Sequence, residues 1–141
     1  MAREKVYFSL GSNLGDRVAL LEEALKRMDE AFGTPYSALS SFIETPSWGF
    51  EGPDFINCAV MYELDSDPFA VLEKVKRIEK EMGRSGSAEY DAEGYRIYRD
   101  RPIDIDILLY GSRRVETLEL TIPHPLIGQR DFVKIPLSEI L

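Results

Sequence analysis

The chain has 141 residues, 44% of them hydrophobic, a formal net charge of -8 and one cysteine. That length suits one compact domain, residues 1–141, and no run approaches the roughly 18 to 20 apolar residues of a membrane helix. The acidic balance argues against a broad nucleic-acid surface, and a lone thiol excludes an internal disulfide or a thiolate zinc cluster.

Val6 to Leu10 predicts a first strand, followed by a Gly11-Ser12-Asn13-Leu14-Gly15-Asp16 turn that enters a helix. Val18, Leu21, Leu25, Met28 and Phe32 recur at helical spacing and predict one core-facing stripe. Two further strands are expected at Tyr36–Glu44 and Phe55–Leu64, joined by a Pro-, Gly- and aromatic-rich loop from Thr45 to Asp54. Within the second, Cys58 sits in an apolar setting and reads as a buried structural thiol. Asp67-Pro68 supplies an N-cap and a first-turn proline for a second helix, whose Phe69, Leu72, Val75, Ile78 and Met82 run to Gly83. Ser85 to Asp100 lacks periodicity and is long for a compact domain, which suggests a mobile active-site loop.

A strand from Ile103 to Tyr110 follows, then a short strand around Arg114–Leu120, a proline-flanked turn at Ile122–Pro125, and a last apolar segment, Phe132–Leu141. The order β-α-β-β-α-β implies an α+β sandwich of ferredoxin-like type, with helices on one face of a mainly antiparallel sheet. Met1 to Lys5 lacks the apolar segment of a signal peptide, so a soluble cytoplasmic protein with no membrane partner is expected.

The most informative stretch is RPIDIDILLYG, Arg101 to Gly111. Asp104 and Asp106 are two apart on a strand, so they share a face, roughly 7 Å from each other, while Ile103, Ile105 and Ile107 point to the opposite one. Like charges so placed call for a cationic partner, and a pair of hard divalent ions sharing phosphate oxygens is an economical choice. A bare D-x-D is more often a solvated strand face. Here the run Ile107 to Tyr110 favours a strand covered on both sides, and Arg84, Arg96, Arg99 and Arg101 reverse the local sign of charge.

LGSNLGDR (Leu10–Arg17), ETPSWGFEGPDFIN (Glu44–Asn57), RIEKEMGR (Arg77–Arg84) with RPIDIDILLYG, and TIPHPLIGQRDFVKIPL (Thr121–Leu137) occur in collinear order over nearly the whole chain. Together they resemble the 6-hydroxymethyl-7,8-dihydropterin pyrophosphokinase family, whose members move the pyrophosphoryl group of ATP to a pterin alcohol in folate biosynthesis and release AMP. The resemblance implies two Mg2+ ions on Asp104 and Asp106, with Arg84 and Arg101 joining these acids in catalysis. For ATP it implies Glu79, Arg84, Tyr98, Arg101, Ile107, Thr121, His124 and Arg130. For the pterin it implies Thr45, Pro46, Trp48, Phe55, Asn57, Asp104 and Phe132, with the two phenylalanines sandwiching the ring and Asn57 reading its edge. It further implies small-molecule partners only, no nucleic acid, and a monomer.

Several of these residues also have plainer readings. Phe55 and Phe132 could be ordinary core, Glu79 a helical surface ion pair with Lys76, and His124 a hydrogen-bonded turn histidine. Asn57 interrupts an apolar strand, where an amide must find a partner. Glu119 stands where some family members carry an arginine toward the phosphates. The functional alternative is a non-catalytic ferredoxin-like module binding nucleotide or RNA through stacked aromatics, which the acidic charge disfavours. A P-loop kinase is excluded, because no G-x-x-x-x-G-K-[ST] occurs.

Overall fold

A computed structural model describes residues 3–46, 52–83 and 102–141. The described elements are β1 (Glu4–Ser12), α1 (Arg17–Phe32), β2 (Ala38–Leu39), β3 (Ile43–Thr45), β4 (Phe55–Leu64), α2 (Pro68–Glu81), β5 (Asp104–Tyr110), β6 (Val115–Glu116), β7 (Thr121–Ile122) and α3 (Asp131–Ile140). The main sheet runs β2-β4-β1-β5, with β3 also paired to β4, and each of these pairings is antiparallel. This is the strand order of a ferredoxin-like α+β sheet, as the element order predicts.

The alternation of the central strands sets two apolar layers. Val6, Phe8 and Leu10 of β1 and Cys58, Val60, Tyr62 and Leu64 of β4 point to the side where α1 delivers Leu21, Ala24, Leu25 and Met28, and α2 delivers Val71, Val75 and Ile78. Each such fully buried large aliphatic side chain contributes about 1.5–3 kcal/mol. Burial pushes the Cys58 thiol up to about 12, in keeping with an inert structural cysteine.

Both helices begin as their sequences predict. The Asp16 carboxylate accepts from Ala19 N–H at 3.1 Å and that of Asp67 from Phe69 N–H at 2.9 Å, each satisfying a first-turn donor. Gly33, at φ 72°, closes α1 in the left-handed conformation a glycine adopts without strain.

Four local expectations need correction. Gly11 and Ser12 belong to β1, not to the following turn, because both continue its ladder with β4. Val18 lies outside the core stripe at 42% exposure. The stretch Tyr36–Glu44 is two short strands rather than one, because the buried Ser40 hydroxyl takes the Ala59 N–H at 2.8 Å and turns to the Ser41 carbonyl. The Arg114–Leu120 strand shrinks to β6, which pairs with β7 in a separate two-stranded ribbon.

The helices also do not all lie on one face. The last apolar segment is α3, which packs Val133 and Leu137 on Tyr7, Ala59, Met61 and Leu108 on the opposite side. Leu108 and Leu109 reach that layer through a β-bulge: the register slips between Tyr7↔Leu109 and Phe8↔Ile107, which returns Tyr110 to the α1/α2 side.

Candidate active site

α3 covers only part of its face of the sheet. Beyond it, the register sets three side-by-side positions in a row: Asp104 of β5 against Gly11 of β1, and Gly11 against Asn57 of β4. The next row places Asp106 against Ser9, and Ser9 against Ala59. Asp104 and Asp106 therefore do share one face, as the D-x-D spacing predicts, and both are half-buried. Ile103, Ile105 and Ile107 pack the other layer. The acid-bearing strand and the Asn57 strand are two inter-strand steps apart, about 10 Å.

Asn57 is 3% exposed, and its Nδ2 donates to Thr45 Oγ1 at 2.6 Å. Thr45 pairs directly with Phe55, so Thr45, Phe55 and Asn57 form one corner of the site on the β3–β4 hairpin. Gly11, which the sequence places in a turn, belongs to this corner opposite Asn57. A Cβ there would meet Asn57 Oδ1 at 2.6 Å and Phe55 Cδ2 at 3.3 Å, so the bare backbone is what lets the amide lie across the strand. A glycine within an apolar strand is the signal that marks such a close approach.

On the β5 side, His124 N–H donates to the Leu108 carbonyl at 2.9 Å, tying the Pro-His-Pro turn to the bulged edge strand. Its Nδ1 accepts from Leu126 N–H at 3.2 Å, so in the neutral ring the proton sits on Nε2. Burial, and then the charge of Arg130, hold the imidazole below its ordinary range, against an opposing pull from Asp104. The Arg130 guanidinium lies 5.5 Å over the Phe132 ring, and Phe132 packs half-buried on the α3 layer. The structure thus links Asp104, His124, Arg130 and Phe132 in one neighbourhood.

Other assigned residues stand differently. Glu79 is 6% exposed, so it is buried rather than on the helix surface, and its Oε2 accepts from Ile105 N–H at 2.9 Å. Among the described residues β5 is the outer strand of the sheet, and this backbone donor, set between the two aspartates in sequence, is bonded by the helix beside it. The Ile107 side chain is core, 4% exposed in the α1/α2 layer. Thr121 is exposed on the β6–β7 ribbon, Pro46 is exposed at the end of β3, and Glu119 is exposed in the β6–β7 turn. Trp48, Arg84, Tyr98 and Arg101, and the expected loop Ser85–Asp100, lie outside the described residues.

Residues 7–141 match the family model described as 7,8-dihydro-6-hydroxymethylpterin-pyrophosphokinase. The chain is similar to the 2-amino-4-hydroxy-6-hydroxymethyldihydropteridine pyrophosphokinase of Porphyromonas gingivalis, 44% identical over 137 residues that cover 96% of this chain and 89% of that relative. The Bacillus subtilis protein of the same description is 36% identical over 135 residues, covering 95% and 76% respectively. A Pisum sativum protein described as a mitochondrial folate synthesis bifunctional protein is 42% identical over 139 residues, 98% of this chain but 25% of its own length. With a family model matched over nearly its whole length and relatives this similar, the chain belongs to the 7,8-dihydro-6-hydroxymethylpterin-pyrophosphokinase family.

Proposed function

We infer that this chain transfers the pyrophosphoryl group of ATP to the hydroxymethyl oxygen of 6-hydroxymethyl-7,8-dihydropterin, releasing AMP, on the face where Asp104, Gly11 and Asn57 stand in one row. That row is the observation that carries the reading. It sets a fixed amide for a flat heterocycle one strand to one side of β1 and a pair of acids one strand to the other. A pterin whose edge is read by Asn57 and whose ring lies between Phe55 and Phe132 extends its alcohol toward the acids. Thr45 holds the Asn57 amide through Oγ1, so one N–H and the carbonyl of that amide are oriented before the substrate arrives.

Asp104 and Asp106 are the residues that would hold two Mg2+ ions. Two carboxylates on a common face give hard oxygen donors of the kind this ion takes, and phosphate oxygens complete such sites. When bound, the ions supply charge neutralisation for the phosphates and acidify the attacking alcohol. Glu79 fixes the strand between the two acids from behind. His124, neutral with its proton on Nε2, presents a donor to a phosphate or ribose oxygen without adding a full charge, while Arg130 and, by resemblance, Arg84 and Arg101 offset the charge on the transferring group.

Thr121, Tyr98, Ile107, Trp48 and Pro46 complete the ATP and pterin assignments on the same basis of resemblance. We take the protein to act as a monomer of one domain. The relatives described from bacteria support a cytoplasmic setting, and among the described residues no helix is long and apolar enough to cross a membrane.

The test is turnover of Asp104→Ala and Asp106→Ala with ATP, Mg2+ and the pterin. Loss of one interaction that acts on developing charge costs about 10²–10³-fold, and removal of an ion-binding acid is expected to cost at least that. Both variants should retain the native circular dichroism. A rate near that of the native chain in either one removes the metal assignment.

A further inference from the structure

The motif Leu10–Arg17 ends in an arginine that the site as described does not use. Arg17 is the first residue of α1, and its guanidinium is shared between two targets. One terminal nitrogen donates to the Asp54 carbonyl at 2.8 Å, and the other pairs with Glu44 Oε2 at 2.8 Å. One turn earlier, Asn13, 1% exposed, donates from Nδ2 to the Pro53 carbonyl at 3.2 Å.

Glu44 precedes residues 46–52 and Asp54 follows them, so one side chain grips both stems of the β3–β4 connection. The grip comes from behind the site. Glu44 pairs with Ile56, which packs on the α1/α2 layer, whereas the flanking pairs Thr45↔Phe55 and Ile43↔Asn57 bear the pterin corner on the other face. β3 is only three residues long and, among the described residues, pairs with β4 alone, so its own ladder holds it weakly.

We propose that Arg17 is a positioning residue for the pterin subsite: by fastening Glu44 and Asp54 to the start of α1, it fixes the register at which Thr45 and Phe55 meet and thereby the aim of Asn57. This rests on the assignment of Thr45, Phe55 and Asn57 to the pterin. It touches neither substrate and acts on one subsite only, because β5, with Asp104 and Asp106, is held separately through β1 and Glu79.

The experiment measures dissociation constants for 6-hydroxymethyl-7,8-dihydropterin and for a non-hydrolysable ATP analogue with Mg2+, by calorimetry on the full chain. For Arg17→Ala the pterin constant should rise about ten-fold and the ATP-analogue constant stay within about two-fold, since a small displacement of positioning groups costs on that scale. Glu44→Gln keeps the Asp54 bond and should raise the pterin constant about three-fold; combined with Arg17→Ala it should add nothing, the mark of two residues acting through one contact.

Equal weakening of both ligands, an unchanged pterin constant, or additive effects of the two substitutions would overturn the proposal. If Arg17→Ala does not fold, Glu44→Gln alone decides it by the same split between ligands. A native chain that binds no pterin would instead overturn the underlying assignment of the subsite.

Discussion

Replacing Gly11 by alanine adds one carbon to the middle of the central row, and the structure specifies what it strikes. The new Cβ would stand 2.6 Å from Asn57 Oδ1 and 3.3 Å from Phe55 Cδ2. A contact with the end of a side chain is usually relieved by rotating that side chain. Asn57 is 3% exposed and bonded through Nδ2 to Thr45 Oγ1 at 2.6 Å, so its rotation breaks a buried hydrogen bond. Leaving such a group unsatisfied costs about 1–3 kcal/mol, and the same amount lost from the amide's contact with the pterin corresponds to about 5- to 150-fold in affinity.

The fold should suffer less than the affinity. Gly11 has no positive φ, and alanine restricts the unfolded chain, which returns about 0.4–1 kcal/mol. The expected fall in Tm is therefore a few degrees, about 4–8 °C for a net loss of about 1–2 kcal/mol. Fluorescence or calorimetric titration with the pterin, beside a thermal melt, separates the two effects. Pterin affinity within about two-fold of the native chain would refute the view that Gly11 makes room for a substrate-reading amide.

Two further outcomes follow from groups beside the acids. Glu79→Ala removes the acceptor of the Ile105 N–H and should lower stability by about 1–3 kcal/mol, read as a Tm loss in thermal unfolding; an unchanged Tm would mean that water or another group replaces the carboxylate without cost. His124 is the chain's one histidine, and its folded pKa lies below its ordinary value near 6.5. The unfolded state then binds more protons, so this stabilising contribution is present above about pH 6.5 and is lost as pH falls through that value toward the folded pKa. Urea unfolding of the native chain and His124→Gln should diverge over that window, whereas parallel losses would show that His124 charges as easily in the fold as outside it.

Much of the site was legible because it depends on short-range rules. Strand parity alone put Asp104 and Asp106 on one face, the bounds of β4 coincide with the run Phe55–Leu64, and Asp67-Pro68 marked the start of α2. What escaped the sequence depends on contacts between distant segments. Gly11 read as the start of a turn because glycine is a turn residue, and only the ladder to Asn57 shows it to be strand. For Glu79 a surface ion pair with Lys76 stood beside the ATP role, because the Ile105 N–H that its carboxylate accepts is 26 residues away.

The broken β2–β3 edge depends on a serine hydroxyl capturing a backbone donor of β4, which no periodicity reveals. The segment Phe132–Leu141 reads as apolar without a clear type, and the structure makes it α3, in which Pro136 lies inside the helix and joins Val133 and Leu137 on its buried face. That helix also changes the layer count, covering part of the face that the element order left open and confining the site to the remainder.

Pyrophosphoryl rather than simple phosphoryl transfer is tested most directly by identifying the nucleotide product when the native chain is incubated with ATP, Mg2+ and 6-hydroxymethyl-7,8-dihydropterin. Attack by the pterin alcohol on the β-phosphorus yields AMP and the pterin diphosphate in equal amounts, with turnover strictly dependent on the pterin. Formation of ADP with a pterin monophosphate, or AMP released at the same rate when the pterin is omitted, would contradict the account.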